Sequence, residues 1–96
     1  MKDIHSPVRT FLDRLCTQGE PNNMSRETKD WKMETTSGTR DWAVIDIEHK
    51  GSGTVFRGSF DFWTKELVIT ECRGPIRGIV ESKLREIYPE MTVTEV

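Results

Sequence analysis

Ninety-six residues make one domain, residues 1–96, with a single modest core, and a chain of this size buries only about 60–65% of the surface its unfolded form exposes. Fourteen basic residues against sixteen acidic ones leave a formal charge of −2 with the signs mixed along the chain, which argues against the concentrated positive field that non-specific nucleic-acid or anionic-membrane binding requires. Three Trp, four Phe and well-spaced Ile, Val and Leu supply bulk for a folded rather than a disordered chain.

Met1 to His5 lacks the apolar stretch of a secretory signal and no window reaches the apolar length of a membrane span, so the expected setting is the cytoplasm, with no membrane partner. Ser6-Pro7 opens the first helix, since Ser caps and Pro at the first helical position sacrifices no hydrogen bond. Val8, Phe11, Leu12, Leu15 and Cys16 recur at three- and four-residue steps and form one stripe, ended by Gly19 and Pro21. Residues Glu20 to Lys29 carry Pro, Asn and Ser with Met24 as the one large apolar side chain, and are expected to form a surface loop.

Beyond the loop, Trp31, Met33 and Thr35 alternate with Lys32, Glu34 and Thr36, the period of a short strand running into Ser37-Gly38. Asp41 to His49 forms a second strand with Ala43, Ile45 and Ile47 inward and Trp42, Val44, Asp46 and Glu48 on the wetter face. Lys50-Gly51-Ser52-Gly53 turns the chain, and the returning strand places Phe56, Gly58, Phe60 and Phe62 on the core side opposite Val55, Arg57, Ser59 and Asp61. After a turn at Trp63 to Glu66, Leu67 and Ile69 again point inward. Gly74-Pro75 starts a second helix bearing Ile76, Ile79, Val80, Leu84 and Ile87, Pro89 stops it, and Met91 to Val96 is β-prone. The expected fold is therefore α+β in α-β-β-β-β-α-β order, a three- to four-stranded antiparallel meander with two helices packed on one face.

Chemistry-bearing patterns are few. Cys72-Arg73-Gly74-Pro75-Ile76-Arg77-Gly78 sets a cysteine before glycines, a helix start and two arginines; backbone N–H groups, a helix dipole and guanidinium groups favour an oxyanion and a lowered thiol pKa. The segment resembles the phosphate loop of cysteine phosphatases but departs from it: four residues rather than five separate Cys72 from Arg77, no His precedes the Cys, and Pro75 removes an amide. Arg73 and Arg77 are thus candidate anion-binding residues, weighed against solvated arginines beside a buried thiol. No metal-ligand spacing and no catalytic triad is legible around His5 or His49, and no cofactor is implied. Two cysteines far apart in sequence are expected to remain thiols.

Three functional classes follow. The first is a non-catalytic module that binds another protein, such as a small phage-type accessory regulator or inhibitor of a larger partner, with Trp31, Trp42, Val44, Asp46, Glu48 and Arg57 as partner-binding candidates. A homodimer is a further arrangement of that class. The second is a nucleic-acid binder using Arg73, Arg77, Lys83 and Arg85, diluted by Glu81 and Glu86; the third is a cysteine enzyme centred on Cys72.

Overall fold

The computed structural model describes residues 4–18, 23–37 and 41–96. In chain order the elements are α1 (Ser6–Gln18), β1 (Met24–Glu27), β2 (Trp31–Ser37), β3 (Trp42–His49), β4 (Val55–Asp61), β5 (Glu66–Arg73), α2 (Arg77–Ile87) and β6 (Thr92–Glu95). They form an α+β domain whose single sheet has the order β1-β2-β3-β4-β5-β6. The first five strands pair antiparallel as a meander, and β6 joins β5 in parallel. That last pairing follows from connectivity, because a strand that returns after a helix crossover runs parallel to the one it left.

The sheet is thus larger than the expected three- to four-stranded meander. β1 occupies part of the expected Glu20–Lys29 loop: only Met24 of its four residues is partly buried, so backbone pairing to β2, rather than an apolar pattern, holds it in place. Thr28 closes the β1–β2 turn through Thr28 N–H to Trp31 O (2.8 Å) and Trp31 N–H to Thr28 Oγ1 (3.0 Å). The helix stop at Gly19 and Pro21, and the Gly38 turn, lie outside the described residues.

The core is what alternation dictates on the sheet and what three- and four-residue spacing dictates on the helices. Val8, Phe11, Leu12, Leu15 and Cys16 of α1 and Val80 and Leu84 of α2 are buried with Met33, Ala43, Ile45, Ile47, Phe56, Phe60, Leu67 and Ile69 of the sheet. Ile79 and Ile87, expected in that core, flank it half-buried, since Val80 and Leu84 take the central line of α2. Lys83 Nζ bridges to Asp13 Oδ1 (3.2 Å), tying α2 to α1 across the layer. α2 begins at Arg77 rather than at Gly74-Pro75: Ile76 occupies the N-cap without a side-chain hydrogen bond and is instead fully buried. Gly74 at φ +83° makes this entry turn, where a Cβ would lie 2.4 Å from Thr54 Oγ1.

Both helices cover one face of the sheet. The opposite face carries the polar half of each strand's alternation, and among the described residues no second layer lies over it, as the exposed Lys32, Glu34, Val44, Glu48 and Arg57 show. Among the described residues no helix is long and apolar enough to cross a membrane.

Candidate docking surface

On the open face the strand register sets side chains in rows. Glu34, Asp46, Arg57 and Glu71 lie across β2 to β5 in one row, and Trp42, Asp61, Glu66 and Thr92 across β3 to β6 in another. Arg57 sits between two carboxylates, Nε 3.3 Å from Asp46 Oδ1 and Nη1 3.2 Å from Glu71 Oε1, and the hydrogen bond to Asp46 leads the causes that raise its pKa. Its strand alternation puts Arg73 on the same face, with Nη2 2.6 Å from Glu71 Oε2. These exposed pairs fix side-chain positions and contribute little stability.

The outward charges of β2 to β5 are Glu34, Asp46, Glu48, Asp61, Glu66 and Glu71 against Lys32, Arg57 and Arg73, a net of three negative charges. The helices carry Arg9, Arg14, Arg77, Lys83 and Arg85 against Asp13, Glu81 and Glu86, a net of two positive charges. A chain that is nearly neutral overall is therefore polarised, with its negative side on the uncovered face.

Trp42, Val44, Asp46, Glu48 and Arg57 all lie on this face, as alternation from Ala43, Ile45 and Ile47 requires. Trp31 does not. It shares the core side with Met33, is 2% exposed, donates Nε1–H to Ile4 O at 3.0 Å, and packs edge-on against His49 with ring centroids 4.6 Å apart. Its place among the partner-binding candidates is corrected to a core residue: antiparallel pairing sets Trp31 opposite His49 and Met33 opposite Ile47, beneath α1.

A residue outside the sequence-based candidates stands out instead. Trp63, in the turn between β4 and β5, is 80% exposed. The turn that presents it is rigidly bonded: Asp61 Oδ1 accepts Trp63 N–H (2.8 Å) and Thr64 N–H (3.0 Å), Lys65 N–H donates to Asp61 O (2.8 Å), and Lys65 adopts φ 59°. Phe62 N–H donates to Asp41 O (2.7 Å), so the residues that follow each, Trp63 and Trp42, emerge at the same end of the sheet. Beside Trp42 a depression of about 250 Å³ is lined by Trp42, Ser59, Asp61, Glu66 and Val68.

The anion-binding candidates do not share a site. Arg73 belongs to the open face, whereas Arg77, in the first turn of α2, is held by Glu81 Oε2 (2.6 Å) and Glu95 Oε1 (2.8 Å). Cys72 pairs with Phe56 on the core side and is a half-buried free thiol. Burial pushes its pKa up, outweighing the Arg77 guanidinium and backbone N–H, which pull it down. Buried Cys16 is pushed up to about 11, chiefly by burial and next by the Asp13 charge. Both thiols are expected to react with iodoacetamide at pH 7 more slowly than free cysteine, because little thiolate is present; mass-resolved alkylation checks this, and faster labelling of Cys72 would favour the enzyme reading. His49 Nδ1 lies 2.9 Å from Ser52 Oγ, but the same nitrogen accepts Ser52 N–H (3.1 Å) and Ser52 Oγ is bonded to Thr54 Oγ1 (2.9 Å), a network that closes the β3–β4 hairpin. Among the described residues no group of three or more His, Cys, Asp or Glu is placed to hold a metal ion.

No protein-family model matches the sequence, and no curated protein or solved structure is detectably similar to it.

Proposed function

We propose that this domain is a non-catalytic protein-interaction module that docks another protein on its open sheet face, with Trp63 and Trp42 as anchors. The observation that carries the reading is the 80% exposure of Trp63 on a turn whose backbone is fixed by hydrogen bonds to Asp61. A large aromatic side chain left in water forgoes roughly 2 kcal/mol or more of burial, and aromatic residues are enriched among those that dominate interface energetics. The Trp42–Val44–Val68 surface beside it adds apolar area flanked by charge, the composition of an interface centre with a polar rim.

Affinity capture from the native host, followed by titration of the captured partner, tests this. Trp63→Ala is expected to weaken binding by about 2 kcal/mol, roughly 30-fold, while its thermal unfolding stays within about 0.5 kcal/mol of wild type, as for a surface substitution. Trp42→Ala, at a half-buried position, is expected to lose comparable affinity with the fold retained. Normal partner binding by both variants would remove this face from consideration.

A further inference from the structure

We infer that the depression beside Trp42 receives an arginine side chain from a basic segment of the partner protein. The inference rests on the docking-face reading and adds the chemistry of the occupant. The depression is lined by Trp42, Asp61 and Glu66, side by side in one cross-strand row, and by Ser59 and Val68 in the next row. The two acids lie directly opposite one another across β4 and β5. Like charges in that position repel, and a cation between them relieves the repulsion.

The protein's own bonds hold the carboxylates without neutralising them. Asp61 Oδ1 is taken by the two turn amides and Glu66 Oε2 by Thr94 Oγ1 (3.2 Å). Among the described residues no protein cation pairs with either acid. An aromatic wall beside unpaired carboxylates matches a guanidinium, which stacks on indole and donates in a planar fork to carboxylate oxygens. The excess of carboxylates over cations on the open face favours a basic partner over an acidic one at longer range.

The test uses a short blocked arginine–serine repeat peptide and its twin with citrulline, the neutral isostere, at every arginine. Binding to the intact domain is followed by calorimetry and tryptophan fluorescence at low and physiological salt. The arginine peptide is expected to bind at least about 10-fold more tightly than the citrulline peptide, and added salt is expected to weaken it. Asp61→Asn/Glu66→Gln keeps the oxygens that accept the turn amides and Thr94 but removes both charges. This variant is expected to lose about 10-fold in arginine-peptide affinity or more, and to unfold about 1–4 °C higher in the absence of peptide because the repulsion is gone.

Equal binding of the two peptides, or unchanged affinity in the double variant, overturns the inference. So does the absence of any arginine-peptide binding. None of these outcomes touches the broader reading, which stands or falls with Trp63→Ala and Trp42→Ala in the partner titration. A concentration-dependent dimer abolished by Trp63→Ala would make the occupant a second copy of the chain and would also overturn it.

Discussion

Phe60→Ala is expected to destabilise the domain by about 3–5 kcal/mol, the range for truncating a fully buried Phe. Phe60 is 0% exposed on the core-facing side of β4 near its C-terminal end, opposite Ala43 on one neighbour and Leu67 on the other. Its ring meets Phe62 edge-on at 5.0 Å between centroids and Tyr88 at 5.3 Å, so one truncation strips contacts from the sheet and from the end of α2 together. Ala43 opposite and Gly58 nearby bring little side chain to fill the space, which places the cost toward the cavity end of the range. A domain of this length has a total stability of about 5–14 kcal/mol. The unfolding temperature is therefore expected to fall by about 15–30 °C, read by circular dichroism or calorimetry. A shift no larger than that of Trp63→Ala would show that the aromatic cluster does not hold the layers together.

Most of that core was legible because its causes are local. Alternation in Trp42–His49 and Val55–Asp61 fixes which side chains face the helices, and the spacing of Phe11, Leu12 and Leu15 fixes the buried face of α1. The placement of Trp31 was also within reach, since it shares a strand side with Met33 and therefore with the core. What escaped was decided by pairing rather than by pattern. β1 has no apolar alternation and exists through its ladder to β2. Trp63 lies where the strand period stops, so no rule about faces applies to it; it sits in a turn closed by the Asp61 carboxylate. The Asp61–Glu66 juxtaposition depends on where the β4–β5 turn closes, and beyond it the register shifts between Arg57 and Gly58, an irregularity that sequence alone does not reveal.

That irregularity gives the second large effect. Opposite Arg57 and Gly58, β5 offers Glu71 and Ile69, which leaves Thr70 as the extra residue, with its Oγ1–H donating to Arg57 O at 3.1 Å. The extra residue bends the β5 backbone over Gly58, and a Cβ there would stand 2.4 Å from Val68 O. The obstacle is a backbone oxygen inside the sheet, so it cannot swing aside as a side chain would. Gly58→Ala must push β5 away from β4 or flatten the bulge, and either movement disturbs the Asp61–Glu66 row further along the same two strands. The expected loss is about 3 kcal/mol, the upper part of the range for overpacking a close-packed site. The same substitution at Gly78 has the opposite sign. Gly78 is exposed in the first turn of α2, and apart from its chain neighbours and own helix backbone nothing lies within 4 Å of an added Cβ; Gly78→Ala is expected to stabilise by about 0.5 kcal/mol through helix propensity. Denaturant titrations of the two variants against wild type should therefore move the midpoint in opposite directions. A neutral Gly58→Ala would mean that β5 does not press on β4 there.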